Sequence, residues 1–386
     1  MRAVTQALIL ARVGFAGLAE RKWSSLVLVG SVACVVGVLL SMLSVTAGML
    51  RAYRAGEDPQ LAIVLSPSNF EYGGGIPAAA VGTILNAPGI AKGAGNHPLG
   101  DAEVVFWVPP SGPYVVGSPT LRGIGAAGLE LRPQFRIVEG RPFRAGRQEL
   151  IIGVGAAGVY GLHVGDHVVL PNGSWSIVGT FSDDGSILES QLVGDAPTLM
   201  AAGHMSGFSS VLVRLDRPEA FEAFQQWLTT NPTLKVNPER QSDYAQRTVH
   251  RASAFFTALT YAVGVIMALG ALFGVVKLTY TAVSVRTREI ATLRAMGYQA
   301  FSVAVSVLLE SVVLCVVGAL VGAAIAWLLF NGKLVAALRS VFTLSVSPRL
   351  FILGIAWALV LAVIGGLSPA LRAARLPVAE ALRAKG

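Results

Sequence analysis

Charge is scarce in this sequence and unevenly placed. Of 386 residues, 13% are Asp, Glu, Lys or Arg against 53% hydrophobic, and the mean hydropathy is +0.62. That balance excludes an ordinary soluble globular protein, in which about a quarter of residues are charged. Acids are almost missing outside one window. From Arg51 to Arg251 there are 15 Lys/Arg and 18 Asp/Glu, whereas the rest of the chain holds 15 Lys/Arg and four acids, Glu20, Glu289, Glu310 and Glu380. The net charge of +8 therefore flanks apolar segments rather than covering one soluble face, which excludes a nucleic-acid footprint and carries orientation information instead. Cysteine is nearly absent. Cys34 and Cys315 both fall inside apolar runs and read as packing residues, so no disulfide framework is expected.

Motifs that carry chemistry are missing too. No G-x-x-x-x-G-K-[ST] phosphate loop occurs; Asn331-Gly332-Lys333 lacks both the earlier Gly and the following Ser or Thr. There is no G-x-S-x-G nucleophile elbow. His163 and His167 stand four apart, but Val164-Gly165-Asp166 between them reads as a turn into a strand, not a helix presenting two ligands. Asp183-Asp184-Gly185 lacks the further oxygen ligands of a cation loop and reads as a tight turn. The sequence thus assigns no catalytic residue, no metal site and no cofactor bound by this chain, and the expectation is a protein that is not itself an enzyme.

What is present is four long apolar runs. Ser25 to Val45, Ala252 to Val276, Ser311 to Phe330 and Leu350 to Leu371 are free of charge and each reaches about the 20 residues that a spanning helix needs. The first run far exceeds the roughly 7–15 apolar residues of a cleaved signal peptide, so it reads as a retained anchor. Basic residues then set the orientation. Arg2, Arg12, Arg21 and Lys22 precede the first run, Lys277, Arg286, Arg288 and Arg294 follow the second, and Arg372, Arg375, Arg383 and Lys385 follow the fourth. By the positive-inside rule these segments are cytoplasmic, giving N-in and C-in with four crossings; the connection from Asn331 to Arg349, with three basic residues and no acid, weakens the rule without reversing it. The expected division is a cytoplasmic arm at 1–22, spans at 23–50, 251–277, 308–330 and 350–371, an outer domain at 51–250, a cytoplasmic segment at 278–307, a short outer loop at 331–349 and a cytoplasmic tail at 372–386. Glu310, the one acid bordering a span core, suits an interfacial cap or partner contact better than a conduction site.

Within 51–250, short stretches rich in β-branched residues lie between Gly, Pro and Asp turns: Leu61–Leu65, Val104–Val108, Tyr114–Val116, Leu150–Ile152, His167–Leu170, Ser176–Val178 and Val211–Leu215. Pro171-Asn172-Gly173 reads as a hairpin turn. Pro218 to Thr229 carries Phe221, Phe224, Trp227 and Leu228 as a helical apolar stripe. The fold class expected is therefore an integral membrane protein of four helices with a large mixed α+β extracytoplasmic domain between the first two.

The segment Val285-Arg-Thr-Arg-Glu-Ile-Ala-Thr-Leu-Arg-Ala-Met-Gly297 is short, basic and expected to be helical until Gly297 stops it. Ile290 and Leu293 share a face, with Arg286, Arg288, Glu289 and Arg294 beside them. Spacing alone leaves two readings open, a surface for a partner protein or a loop lying on lipid. Gly270 and Gly274, and likewise Gly318 and Gly322, have the G-x-x-x-G spacing that lets helices approach, within a bundle or between copies.

In Arg286, Arg288, Glu289, Ile290, Leu293, Arg294, Ala295 and Gly297 the segment resembles the R-x-R-E-I-x-x-L-R-A-x-G stretch that follows the second span in the FtsX/MacB family of ABC permeases, the mechanotransmission type that includes LolC and LolE. Val138 to Phe143, Glu149 to Gly153, Val164-Gly165-Asp166 and Ile177-Val178-Gly179 resemble the periplasmic core domain of MacB-type permeases, and Pro369 to Arg375 with Pro377 to Arg383 resembles their ending. The resemblance implies a bacterial inner-membrane, multi-pass permease without a fused ATPase domain. It implies that ATP and Mg reside on a cognate ATPase, present in two copies and docked on Arg286 to Gly297. A second permease copy, a periplasmic adaptor and an outer-membrane channel are further implied partners. Three functions fit: export of amphiphilic compounds or peptides, which the MacB-type outer domain favours; release of lipoproteins; and FtsX-like regulation of an extracytoplasmic hydrolase without transport. If the first two spans extend outward through Met49 to Ala55 and Tyr244 to Ala252, they form levers to the outer domain.

Overall fold

The computed structural model describes residues 22–375, apart from 57, 69, 73–74, 94, 108–118, 286 and 338–339. The basic N-terminal arm, Arg286, the strand expected at Tyr114–Val116 and the ending from Pro377 lie outside the described residues. In chain order the elements are α1 (Lys22–Arg54), β1 (Leu61–Leu65), α2 (Ala78–Leu85), β2 (Gly100–Trp107), β3 (Thr120–Ile124), α3 (Ala126–Glu130), β4 (Arg136–Gly140), β5 (Glu149–Gly153), α4 (Val154–Tyr160), β6 (His167–Leu170) and β7 (Gly173–Ser182). There follow β8 (Gln191–Asp195), α5 (Ala196–Ala202), β9 (Ser210–Arg214), α6 (Phe221–Thr230), β10 (Asn237–Arg240), α7 (Gln241–Val285), α8 (Thr287–Ala295), α9 (Ala300–Phe330), β11 (Leu334–Ala337), β12 (Ser340–Thr343) and α10 (Pro348–Ala374). They divide into two compact units. One holds the described residues up to Ala47, Ala254–Asn331 and those from Ser345 on; the other holds Gly48–Ser253 and Gly332–Leu344.

The first unit is helical. Ser25–Arg54, Phe256–Val285, Ala300–Phe330 and Pro348–Ala374 are each long and apolar enough to cross a membrane. With lipid as apolar as the side chains, such helices associate through close packing, and small residues provide it. Gly318 and Gly322 of α9 lie against α1: a Cβ at Gly322 would overlap the Ala33 carbonyl, and one at Gly318 would come within 2.8 Å of the Val29 carbonyl. Gly354 of α10 abuts Val36 of α1, and Gly365 abuts Val275 of α7. Leu28, Val32, Leu40, Cys315 and Ala319 fill the space between them.

Two of these helices outrun a bilayer. α1 has 33 residues and α7 has 45. At 1.5 Å per residue they are about 50 and 67 Å long, against a hydrocarbon core of about 30 Å. Neither contains proline, so nothing interrupts the hydrogen-bond ladder, and each continues unbroken from the first unit into the second. α9 also begins earlier than the span read from the sequence, so Glu310 sits ten residues inside it and is half-buried.

The second unit is built on one ten-stranded sheet of order β10-β1-β9-β2-β3-β8-β5-β7-β4, with β6 added against β7. β2 joins its halves, pairing with β9 through Gly100–Glu103 and with β3 through Val104–Trp107. The helices α2, α4, α5 and α6 cover one face. α2 and α6 bury Ile84, Phe221, Phe224 and Leu228 against Val64, Val211 and Val213, while α4 and α5 bury Ala156 and Leu199 with Leu121, Leu150, Leu192 and Trp175. The β6–β7 turn places Gly173 at φ +130°, where glycine is at ease. Within the connection at 331–349, read from the sequence only as a short loop, Leu334–Ala337 and Ser340–Thr343 pair as β11 and β12, and Gly332–Leu344 belongs to this unit. Val341, Phe342 and Leu344 are buried, and Val341 and Leu334 reach Gly155 and Gly158 of α4.

Candidate coupling site and buried ionic cluster

α8 occupies the segment that the sequence marks out. Ile290 and Ala291 are buried; Ile290 packs with Val283 of α7, Val303 of α9 and Ala373 of α10, and Leu293, Tyr298 and Val307 close around them. The helix stops at Gly297, whose φ is +95°. The Gly297 amide donates to the Arg294 carbonyl at 3.1 Å and the Tyr298 amide to that of Leu293 at 3.2 Å, the paired backbone bonds of a glycine-terminated helix end. No atom lies within 4 Å of a Cβ built at Gly297, so this glycine answers to backbone conformation and not to packing. Apolar burial and a fixed stop therefore seat α8 on the ends of three spans, with Glu289 exposed and Arg294 half-buried. Arg288 belongs to the same helix.

The two glycine pairs differ. Gly318 and Gly322 are spent inside the chain, as described, whereas Gly270 and Gly274 of α7 are exposed with nothing within 4 Å of a Cβ. The same face carries Ile266, Leu269 and Phe273, all exposed. Gly322→Leu is expected to force α1 and α9 apart at a cost of about 3 kcal/mol or more, in line with overpacking of a filled core. Gly270→Leu is expected to leave the fold unchanged; thermal unfolding of the two variants in detergent distinguishes them.

Sequence reading missed a second feature, on the sheet face opposite α2, α4, α5 and α6. Arg122 of β3 is buried and donates Nη1 to Glu71 Oε1 at 2.7 Å, Nη2 to Glu71 Oε2 at 3.0 Å and Nε to Gln191 Oε1 at 2.8 Å. Its Nη1 also bonds Glu103 of β2, whose other oxygen accepts from Arg132 at 2.6 Å. The register explains the convergence: Val105 opposes Arg122 and Glu103 opposes Ser210, so alternate residues of β2, β3 and β9 bring their side chains to one face. One end of each long helix meets this cluster. Tyr244 of α7 donates to Glu71 at 3.4 Å, and Tyr53 of α1 is half-buried beside Glu71, Arg122 and Ser340 of β12. Burial is the first cause that raises the pKa of Tyr53, Tyr72 and Tyr244; the Glu71 charge comes next for Tyr72 and Tyr244 and follows Tyr72 for Tyr53, so all three phenols stay protonated. Burial alone would raise Glu103, but Arg132 and Arg122 outweigh it and hold the carboxyl below its ordinary range. Two carboxylates and two guanidiniums make the cluster neutral.

Asp101, two residues before Glu103 on the same face, is held differently. It accepts the Gly125 amide at 2.8 Å, and a Cβ at Gly125 or Gly128 would overlap its carboxylate. Burial, and next the charge of Glu103, raise its pKa to about 7 from 3.8. The folded chain then keeps a proton that the unfolded chain releases. Asp101 accordingly contributes most below pH 3.8, and that contribution fades as pH rises and is gone above about 7. The loss reaches on the order of 4 kcal/mol. Asp101→Asn keeps an acceptor for Gly125 and is expected to raise the melting temperature at pH 8 while changing it little at pH 4, which a pair of thermal scans reads directly.

Among the described residues, no group of three or more His, Cys, Asp or Glu is placed to hold a metal ion. The glycines, strands and α8 lie where two family profiles fall. The MacB-like periplasmic core domain matches residues 25–231, more than half of the chain, and the FtsX-like permease C-terminal domain matches residues 261–378. Among curated relatives, the macrolide export ATP-binding/permease protein MacB of Shewanella oneidensis is 29% identical over 195 residues, covering 48% of this chain and 29% of that protein. Its counterpart in Hahella chejuensis is 24% identical over 229 residues, covering 57% of this chain and 35% of that protein. The chain thus spans about a third of the length of these relatives. The extracellular domain of the noncanonic ABC-type transporter YknZ from Gram-positive bacteria superposes with a TM-score of 0.35 at 14% identity, covering 46% of this chain and 99% of that one, a likeness too slight to define a fold. With both profiles in sequence order on one chain of four apolar helices and a large mixed sheet, this protein belongs to the FtsX/MacB family of ABC transporter permeases.

Proposed function

We propose that this permease couples ATP hydrolysis by a separate ATPase to movement of its sheet unit. The four apolar helices cross the bacterial inner membrane with both chain ends inside, and the sheet unit lies outside. The observation that carries the reading is α7 followed directly by α8: one 45-residue helix begins beside the buried cluster and ends at a short helix seated on the span ends. A partner pressing on α8 would displace a rod of about 67 Å rather than open a pore. The exposed α7 face with Gly270 and Gly274 favours a second copy of the chain, and two ATPases then serve the pair. The relatives are named for macrolide export, which supports an amphiphilic cargo passed with a periplasmic adaptor to an outer-membrane channel.

Arg286 to Gly297 is the ATPase contact, and ATP with Mg stays on that partner. The test is co-purification with a candidate ATPase subunit, comparing wild type with a Glu289→Lys, Arg294→Glu double variant. Charge reversal at the contact is expected to reduce recovery of the ATPase at least tenfold with the outer unit still folded. Equal recovery from both would remove α8 from the interface.

A further inference from the structure

One face of α10 changes character along its length. Ile364, Leu367, Ser368, Leu371, Arg372 and Arg375 recur at helical spacing, are all exposed, and line a groove of about 500 Å³. The groove is apolar at one end and cationic at the other. Arg349 and Arg372, with no charged residue between them, stand about 35 Å apart along the axis at 1.5 Å per residue, against a hydrocarbon core of about 30 Å. In a helix that crosses the membrane, Arg372 and Arg375 therefore reach the depth of lipid headgroups, while Ile364, Leu367 and Leu371 face acyl chains.

The guanidinium of Arg372 is already placed. It lies over the ring of Tyr280 on α7, 5.3 Å from the centroid, and the Tyr280 and Ser368 hydroxyls are hydrogen-bonded at 2.9 Å. Stacking on a ring face leaves the guanidinium N–H groups unspent. Among the described residues, neither Arg372 nor Arg375 pairs with a carboxylate, and no acid lines the groove. Residues three apart on a helix hold their Cβ atoms about 5–6 Å from each other, so the two arginines can share one phosphate. Arg372 also borders a second groove, of about 350 Å³, whose walls include Thr281, Ser284 and Thr287. Their hydroxyls donate to carbonyls of α7 and keep lone pairs that accept from a polyol. An ammonium head would find no carboxylate in either groove.

We propose that these grooves of α7 and α10 bind one anionic phospholipid with a polyol head. Its phosphate rests on Arg372 and Arg375, its head on the α7 side and an acyl chain along Ile364, Leu367 and Leu371. The site rests on the proposed membrane crossing of α10 and needs neither the ATPase nor a cargo.

The test is native mass spectrometry of the full chain, extracted from membranes, stripped of lipid and titrated with dioleoyl phosphatidylglycerol or dioleoyl phosphatidylcholine. A saturable adduct of one lipid is expected with the first, and one about tenfold weaker with the second. Arg372→Gln with Arg375→Gln is expected to weaken the phosphatidylglycerol adduct about thirtyfold. Lys333→Gln with Arg349→Gln removes the same charge at the connection between α9 and α10, and is expected to leave the adduct unchanged. Tyr280→Leu releases Arg372 at constant net charge and is expected to cost about threefold, so the site stays testable if the arginine variant does not fold. Glycerophosphate in large excess is expected not to compete, since it has no chain for the apolar end. Equal adducts with both lipids, equal losses in the two double variants, or no loss in the arginine and tyrosine variants would leave only unspecific attraction and overturn the site. Displacement by glycerophosphate overturns the lipid as ligand. A chain found in the soluble fraction of cells overturns the membrane crossing instead, so the two failures are told apart.

Discussion

Arg122→Met is expected to destabilise the sheet unit by about 3–5 kcal/mol, the loss seen when one partner of a buried ion pair is removed. Methionine fills most of the volume, so the loss arises from charge. Glu103 would keep Arg132, and Glu71 would be left with Ser210 and Tyr244 as neutral donors. In a unit of roughly 200 residues, that corresponds to a melting temperature lower by about 6–20 °C. The double variant Arg122→Met, Glu71→Leu restores balance by removing a whole pair while keeping Glu103 with Arg132, and is expected to recover most of the loss. Hydrogen exchange at the amides of β2 and β3 reads the sheet unit separately from the spans. If the single and double variants melt alike, the cluster is held by shape and not by charge.

The second large effect is expected from His250→Pro. His250 is exposed on α7, between Tyr244 at the buried cluster and Phe256 where the apolar span begins. Proline there deletes a backbone hydrogen bond and kinks the helix, at about 3 kcal/mol locally, without touching either end. The ATPase is expected to co-purify as before, while transport or any other ATP-driven output falls at least tenfold. Retained output with a kinked helix would mean that force does not travel along α7.

Much of this arrangement is legible in the sequence, and the limits of legibility have physical causes. The four apolar runs and the Gly297 stop stand out because lipid exposure and a positive φ each demand particular residue types. The outward extensions of α1 and α7 are weaker in sequence, since their polar turns show no apolar period, and only the lack of proline points to continuity. β3 and β8 escaped notice because both are buried along their whole length, so period-two alternation is lost, and each carries polar residues, Thr120 and Arg122 or Gln191 and Asp195. That same burial hides the ionic cluster. Glu103 and Arg122 meet through strand register, and Glu71 and Arg132 reach them from loops, so the four show no common pattern in the sequence. The β11–β12 pair looked like a loop because it is short and its partner, α4, is distant in the chain.

Force transmission along the two long helices is tested most directly by distance measurement. Spin labels at Arg54→Cys on α1 and His250→Cys on α7, in a chain with Cys34 and Cys315 replaced by serine, report the spacing of exposed positions on the two helices. With the ATPase bound, the account predicts that adding a non-hydrolysable ATP analogue shifts the distance distribution by on the order of 5 Å, the scale of a one-turn displacement. Superimposable distributions with and without nucleotide would contradict it.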